Sequence, residues 1–141
     1  MEKITSFQNE HRWLSNFAPC EIILDGIIFK SVEHAYMSAK SDSPEWKEFC
    51  RSIEKPGEVK KASRKISLRH DWEDIKISVM RVCLEQKFAQ EHFKTKLLAT
   101  GNCIIEEGNF WGDTFWGVDL KTGKGLNLLG CLIMEIRASL S

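Results

Sequence analysis

The sequence has 141 residues, 20 of them basic and 20 acidic, so its formal net charge at pH 7 is zero. A chain of this length usually forms one domain and can bury about 68–70% of its unfolded surface. Balanced charge excludes a global field that would draw the protein onto nucleic acid or an anionic membrane, so any anion site must be local. The longest apolar run, Leu128–Met134, is far shorter than the roughly 20 residues that cross a bilayer. We therefore expect no membrane partner, and the polar N-terminus predicts no secretory signal.

Five cysteines are spread along the chain, at positions 20, 50, 83, 103 and 131. Their odd number, wide spacing and lack of a Cys-x-x-Cys pair argue against a disulfide scaffold or a zinc site and indicate a reducing, cytoplasmic location. The alternative is that one of them is a nucleophile paired with a histidine. Cys50 and Cys83 fall on the apolar faces of predicted helices, where small buried thiols are common, so we favour a structural role.

An N-terminal β-hairpin is the clearest local prediction. The segments Glu21–Leu24 and Ile27–Lys30 flank the dipeptide Asp25-Gly26. These two residues suit the positive φ angles of a type I′ turn, which joins adjacent antiparallel strands.

The next segment, Ser31–Lys40, predicts a short helix with charged residues on one side. At about 3.6 residues per turn, Glu33, Met37 and Lys40 share one face, beside an apolar face. This pattern is typical of a helix that lines a pocket. The alternative is that Ser31 is the N-cap and Glu33 merely stabilises the helix dipole from the first turn.

Most of the remaining chain is predicted to be helical. Helices are expected from Pro44 to about Ile53, over residues 58–66, from Asp71 as N-cap to about Ala89, over 91–99, and from Gly125 onward. Short strands are expected over 103–106 and 114–118, around a tryptophan-rich segment. The predicted fold class is α+β: a mainly helical single domain, residues 1–141, with an N-terminal β-hairpin and short strands.

Six short motifs follow one another in a fixed order. They are Ser15-Asn16-Phe17, Val32-Glu33-His34, the basic run Lys60–Arg64, Arg69–Glu73, Glu107–Gly117 and Gly125–Gly130. In this order they resemble the NADAR (YbiA-like) family of N-glycosidases, and the resemblance extends through nearly the whole chain. It implies a YbiA-like fold and hydrolysis of an N-glycosidic bond that links a ribose phosphate, or ADP-ribose, to an amino-pyrimidine or purine base.

The implied reaction needs a carboxylate near C1′ and a water molecule, because cleavage of a ribosyl C–N bond builds positive charge on the sugar. Glu33 is the first candidate, either as the base that activates the water or as electrostatic support for the cation. Asp113 is the second candidate catalytic residue, because it lies in an irregular loop between two tryptophans. The alternative for Asp113 is a turn-forming aspartate that bonds its own backbone.

The departing base needs a flat surface on which to stack. Trp111, Phe115 and Trp116 lie within six residues, and base stacking on such rings contributes about 1–3 kcal/mol per base. Gly112 and Gly117 beside them permit close backbone approach. The alternative is that these rings pack the core, but we favour at least one of them, Trp116 first, as a substrate platform.

The phosphate needs cations. Lys60 and Arg64 are one helical turn apart and can converge on a single anion. Lys40 can serve the same anion or keep Glu33 ionised. The alternative is that the whole basic run is a solvated face.

The resemblance carries further residues onto this sequence. The expected substrate-binding set is Asn16, Phe17, Lys40, Lys60, Arg64, Asn109, Trp111, Trp116 and Gly117. The chain departs from the family at Met37, where a glutamine is common, and at Ser63, where a glycine is common. The missing amide at position 37 bears on substrate identity more than on the reaction class.

Three hypotheses follow for the function. The first is an N-glycosidase that acts on a phosphoribosyl-amino-pyrimidine, a riboflavin-pathway type of intermediate, and releases ribose 5-phosphate. The second is an ADP-ribosyl glycohydrolase that removes ADP-ribose from guanine in a nucleotide or nucleic acid, and the third is a non-catalytic ADP-ribose-binding module. We expect metal-independent chemistry and no cofactor, because the four histidines are scattered. The expected partner is a small phosphoribosyl or ADP-ribosyl substrate, or an ADP-ribosylated nucleic acid.

Overall fold

The structure is a computed structural model that describes residues 2–140. The helices in this part of the chain are α1 (Val32–Ser38), α2 (Pro44–Ser52), α3 (Pro56–Ala62), α4 (Trp72–Ala89), α5 (Glu91–Ala99) and α6 (Leu128–Leu140). The strands are β1 (Lys3–Ile4), β2 (Ile22–Leu24), β3 (Ile27–Phe29), β4 (Ile104–Ile105), β5 (Gly108–Asn109) and β6 (Val118–Asp119). Two 3-10 helices, Asn9–Leu14 and Ser63–Lys65, complete the regular structure. The mainly helical α+β class with an N-terminal hairpin is confirmed.

The chain divides by its internal contacts into two compact units. One is Asn16–Lys87; the other combines the described residues up to Ser15 with those from Phe88 onward. A single domain over residues 1–141 stays a prediction. Within residues 2–140, no helix is both long and apolar enough to span a bilayer.

The hairpin of the Asn16–Lys87 unit forms as predicted. Strands β2 and β3 pair antiparallel with Leu24 opposite Ile27. The turn residues Asp25 and Gly26 have φ angles of 52° and 76°, as a type I′ turn requires. Gln86 of α4 binds the hairpin's outer edge, because its side chain accepts from the Ile23 N–H over 2.8 Å and donates to the Ile23 carbonyl over 2.6 Å.

Helix α1 follows the hairpin and is buried on every side. Ser31 is its N-cap, accepting the backbone N–H of His34 over 3.2 Å. All seven residues of the helix are buried, the polar ones included. It packs against α2 and α3, and the Trp46 indole N–H donates to the Met37 carbonyl oxygen over 2.8 Å. The buried environment therefore extends around the charged face as well as the apolar one.

The helices that follow differ only at their ends from the predictions. Helix α3 begins at Pro56, because proline lacks only an N–H that is unbonded in the first turn. Helix α4 begins at Trp72, directly after Asp71. The side chains of α4 in the Asn16–Lys87 unit that are fully or almost fully buried are Trp72, Met80, Cys83, Leu84 and Lys87.

The other unit contains two parallel strand pairs, β1 with β4 and β5 with β6. The predicted strand over 114–118 is wrong: Asp113 bends the chain by accepting the backbone N–H groups of residues 115 and 116, and β6 begins only at Val118. The final helix begins at Leu128 rather than Gly125, because Gly125 and Asn127 have φ angles of 153° and 53°, which a right-handed helix excludes. Its buried side chains are Leu129, Leu132, Ile133 and Ile136.

Candidate active site

Helix α1 holds a buried carboxylate. Glu33 lies in its first turn and only 6% of its surface is exposed. Its backbone N–H donates to the carbonyl oxygen of Asn16 over 3.0 Å, which ties the Ser15-Asn16-Phe17 motif to the start of the helix. A carboxylate that only stabilised a helix dipole would gain from solvation, and buried carboxylates are rare unless paired. The burial of Glu33 favours the interpretation of α1 as a pocket-lining helix.

Lys40 follows the C-terminus of α1 and is half-buried. Burial lowers the pKa of its ammonium group, and the negative charge of Glu33 partly opposes this shift. Neighbouring cations, among them Lys60 and Arg64, lower the pKa further. The Lys40 Nζ lies 3.5 Å from the Oγ of Ser63, at the end of α3. We call Glu33, Lys40, Lys60 and Arg64 the charge cluster. Lys76 also lowers the Lys40 pKa, but its ammonium group is paired with Glu73 over 2.7 Å.

The basic run of the sequence divides between two faces of α3. Lys60 lies toward the charge cluster, with its Nζ 6.0 Å from the centre of the Phe17 ring. Lys61 and Lys65 instead line a separate, mostly apolar groove of about 580 Å³, together with Trp46 and Phe49. Only part of the run is therefore available to the same anion as Lys40.

Arg69 is held outside the cluster by acidic partners. Its guanidinium lies 3.1 Å from Asp42 and 2.5 Å from Asp71, and the Asp71 hydrogen bond raises the pKa of Arg69. Its backbone N–H donates to the Lys40 carbonyl oxygen over 2.8 Å. Arg69 thus fixes the chain next to Lys40 and has its own charge balanced.

The second group of predicted residues lies in the other unit, in the loop 107–117. Asn109 is its buried centre, with 1% of its surface exposed. Its Nδ2 donates to the Glu107 carboxylate over 2.8 Å and to the Asp113 carbonyl over 2.9 Å, and its Oδ1 accepts the Asp113 N–H over 3.0 Å. Asn109 therefore joins the start of the loop, at Glu107, to its middle, at Asp113.

Asp113 shows the geometry of a turn-forming aspartate. Its Oδ1 accepts the backbone N–H groups of Phe115 and Trp116 over 3.1 and 2.9 Å. Gly117 is also explained by packing, because a Cβ there would overlap the carboxylate and carbonyl oxygens of Glu107. Both residues shape the loop, whatever further role they have toward a substrate.

The aromatic residues of the loop differ in exposure. Trp111 is 58% exposed and the preceding Phe110 69% exposed. Phe115 and Trp116 are half-buried and contact each other edge to face, with ring centres 4.9 Å apart. The loop offers flat, accessible rings of the kind on which a base stacks.

The structure thus distributes the predicted residues over both units. Asn16, Phe17, Glu33, Lys40, Lys60 and Arg64 belong to the unit Asn16–Lys87. Asn109, Trp111, Asp113, Trp116 and Gly117 belong to the other unit. The charge cluster, with Asn16 and Phe17 bonded or packed to its members, is therefore the candidate centre for the chemistry.

Two supporting residues were not predicted from the sequence. Ser63 contacts Lys40 and donates to the Lys60 carbonyl over 2.7 Å. Asn127 accepts the Glu107 N–H over 3.0 Å and donates to the Ile105 carbonyl over 2.9 Å. Asn127 carried a usable signal, because asparagine is one of the few residues other than glycine that adopt a positive φ angle.

The hypothesis that a cysteine is the nucleophile loses support for two of the five cysteines. Burial raises the pKa of both Cys50 and Cys83 to about 12. Because the thiolate rather than the thiol is the nucleophile, neither side chain is poised to attack at neutral pH.

Comparison with known sequences links these observations to one family. A sequence model of the NADAR domain matches residues 4–141. The N-glycosidase YbiA of Escherichia coli is 34% identical over 139 residues, which cover 96% of this chain and 86% of that protein. A riboflavin biosynthesis protein of Vibrio vulnificus is 37% identical over 133 residues, which cover 92% of this chain. The chain spans only 36% of the length of that protein.

Comparison with solved structures gives the same result. The NMR structure of E. coli YbiA superimposes with a TM-score of 0.85 and 32% sequence identity, covering 99% of this chain and 86% of that one. The similarity of fold therefore extends over both units of the chain.

Proposed function

The chain belongs to the NADAR family and is a hydrolase of N-glycosyl bonds, and we propose that its substrate is a ribose phosphate joined through C1′ to an amino-pyrimidine base. Hydrolysis would release ribose 5-phosphate and the free base. Support for this substrate comes from the similarity to a protein named for riboflavin biosynthesis and to the N-glycosidase YbiA. The reaction class follows from the family, and the substrate is our proposal.

The observation that carries the proposal is the buried Glu33 within electrostatic range of Lys40. As the C1′–N bond breaks, the sugar becomes positively charged and the bonding electrons move to the base nitrogen, which then takes up a proton. Water supplies the oxygen of the new C1′–O bond. The Glu33 carboxylate would stabilise the cation or accept a proton from the attacking water, and Lys40 would help to keep this carboxylate ionised.

The phosphate of the substrate would bind to the cations of the charge cluster. Lys60 and Arg64 are close enough to Lys40 to lower its pKa. The repulsion that these two cations exert on Lys40 is relieved when an anion binds among them, and hydrogen bonds between such groups and a phosphate are charge-assisted. The Phe17 ring beside Lys60 would supply an apolar wall.

Stacking of a base on the loop 107–117, with Trp116 as the first choice, stays a prediction from the sequence. Asn109 and Gly117 would act by holding the loop in shape, and Asp113 would remain the second candidate carboxylate. The exposure of Trp111, at 58%, favours a second candidate substrate, ADP-ribosyl-guanine, because the adenine of this substrate would have an additional exposed ring on which to stack.

The test is mass-spectrometric detection of products after the metal-chelated, desalted protein is mixed with each of two substrates: a ribosylamino-pyrimidine phosphate and ADP-ribosyl-guanosine. The matched variants are Glu33→Gln and Glu48→Gln, the latter on the exposed surface of α2. We expect ribose 5-phosphate and free base from the first substrate, retained in Glu48→Gln and lost in Glu33→Gln. Release of ADP-ribose alone would select the second candidate, and binding without turnover of either would favour the non-catalytic module.

A further inference from the structure

One polar atom of the unit Asn16–Lys87 has no donor from the protein. Asn16 Oδ1 is buried, and among residues 2–140 no N–H or O–H group lies within hydrogen-bonding distance of it. The backbone carbonyl oxygen of the same residue does have a donor, because it accepts the Glu33 N–H over 3.0 Å. A buried carbonyl oxygen without a donor is costly, so we expect the donor to come from a bound molecule.

The amide of Asn16 is oriented by a sulfur atom. Its Nδ2 lies 3.6 Å from the Sδ of Met80, in a weak N–H···S contact. A thioether sulfur can only accept, so the reverse orientation would set the amide oxygen against another acceptor. The Met80 contact thus keeps Oδ1 turned away from α4, and this position selects a hydrogen-bond donor rather than an acceptor.

The chemistry of the substrate limits which donor this can be. The backbone carbonyl oxygen of Asn16 accepts the backbone N–H of Glu33, so Asn16 lies beside the residue proposed to act at C1′. The phosphate oxygens and the ring oxygen of a phosphoribosyl group are acceptors and do not fit. The 2′-hydroxyl is a donor and is attached to the carbon next to C1′.

We propose that Asn16 Oδ1 accepts a hydrogen bond from the 2′-hydroxyl of the substrate and thereby selects ribosyl over 2′-deoxyribosyl glycosides. This inference rests on the proposed function, since it takes Glu33 to act at C1′. Hydrogen bonds to the 2-hydroxyl of a glycoside strengthen in the oxocarbenium-like transition state. The effect should therefore fall on kcat more than on KM.

The experiment compares kcat/KM for the ribosyl and 2′-deoxyribosyl forms of one amino-pyrimidine 5′-phosphate. The variants are Asn16→Ala and the near-isosteric Asn16→Leu, with Asn102→Ala on the exposed surface of the other unit as control. Melting temperatures identify which Asn16 variant is folded. The glycosidic bond of the 2′-deoxyribosyl substrate is intrinsically easier to break. This difference cancels when the ratio of kcat/KM for the ribosyl substrate to kcat/KM for the deoxyribosyl substrate in each variant is divided by the same ratio in the wild type.

We expect the preference for the ribosyl substrate to fall about 10- to 100-fold in the folded Asn16 variant and to stay unchanged in Asn102→Ala. An unchanged ratio in the Asn16 variant would overturn the inference. If the wild type hydrolyses neither substrate, the proposed function fails, and calorimetric binding of ribose 5-phosphate against 2-deoxyribose 5-phosphate then decides. Tighter binding of the ribose form by the wild type but not by the variant supports the assignment, and equal or absent binding rejects it.

Discussion

Helix α1 and the loop 107–117 both contain buried polar side chains, but these side chains make different kinds of contact. In the loop, the Asn109 amide and the Asp113 carboxylate bond backbone groups of neighbouring residues. At the end of α1, Lys40 instead lies among other charges and loses solvation, which lowers its pKa. The polar side chains of the loop therefore stabilise the conformation of the loop itself. The charges of the charge cluster do not stabilise the folded state by being buried.

This difference indicates where function and stability separate. Removal of a charge from the cluster should harm the reaction and leave the fold intact. Removal of an acceptor from the loop should first destabilise the protein, because it leaves buried N–H groups without partners. The predictions below test this separation, beginning with the largest expected effect.

Glu33→Gln should separate the effect on activity from the effect on stability most clearly. The change keeps the size of the side chain and removes the negative charge, so kcat should fall about 10²- to 10⁴-fold. The free energy of unfolding should change little or increase, since a buried charge is replaced by a neutral amide. Activity assays and urea unfolding on the same preparation measure both quantities. Loss of stability that parallels the loss of activity would mean that Glu33 holds the fold, and the comparison with the loop would collapse.

Lys60→Ala and its neighbour Lys61→Ala form a matched pair on the two faces of α3. Lys60 belongs to the charge cluster, whereas Lys61 lines the separate groove. Because charge-assisted hydrogen bonds to phosphate are the strong ones, KM should rise about 10- to 100-fold in Lys60→Ala and stay near the wild-type value in Lys61→Ala. Equal effects in the two variants would show that the whole basic run acts only through general attraction, an effect that added salt would remove.

Two substitutions distinguish the structural role of Asp113 in the loop from a catalytic role. Asp113→Ala removes the acceptor of the Phe115 and Trp116 N–H groups and should lower the free energy of unfolding by about 1–3 kcal/mol. Asp113→Asn keeps an oxygen acceptor and should be close to the wild type in stability. If Asp113→Asn also retains activity, the aspartate acts only through the loop. A stable but inactive Asp113→Asn would place it with Glu33 among the catalytic carboxylates.

Local signals explain how much of the fold was predictable from the sequence. The hairpin depends on Asp25-Gly26 and the two segments beside it, and α5 depends on a single nine-residue segment, so neither needs distant contacts. The pairing of β1 with β4 joins residues about 100 positions apart and has no local signature. The start of α6 was predicted too early because the positive φ of Asn127 follows from its buried bonds to the β4–β5 segment.

The residue types of the candidate site were predictable from the sequence, but which of the basic side chains lie toward the charge cluster was not. The sequence identified the basic run, yet only the positions of α2 and α3 separate Lys60 from Lys61 and Lys65. Arg69 follows this run along the chain, but Asp42 and Asp71 balance its charge away from the charge cluster. Lys87 is fully buried on α4, against the ordinary preference of lysine for solvent, and no pattern in the sequence predicted it.

His34 offers the test with the smallest expected effect, because it is a titratable residue of α1 whose side chain, like those of the loop, bonds neighbouring polar groups. Its side chain bonds the Ser31 hydroxyl over 2.6 Å and the Ile53 carbonyl over 2.9 Å, and burial is the main cause that lowers its pKa below the ordinary 6.5. As the pH falls below 6.5, the unfolded chain binds a proton that the folded chain does not, so the folded state loses stability. The loss is at most about 1.4 kcal/mol per pH unit and ends once the pH passes below the folded pKa.

His34→Gln should remove this part of the pH dependence, since glutamine can still donate to the Ile53 carbonyl and does not titrate. Urea unfolding at intervals between pH 5 and 7.5 measures the slope, with the exposed His70→Gln as control. The difference in free energy of unfolding between the wild type and His34→Gln should be constant above pH 6.5 and should move against the wild type as the pH falls below it, whereas His70→Gln should follow the wild type throughout. A wild-type slope that persists in His34→Gln would assign the titration to another group.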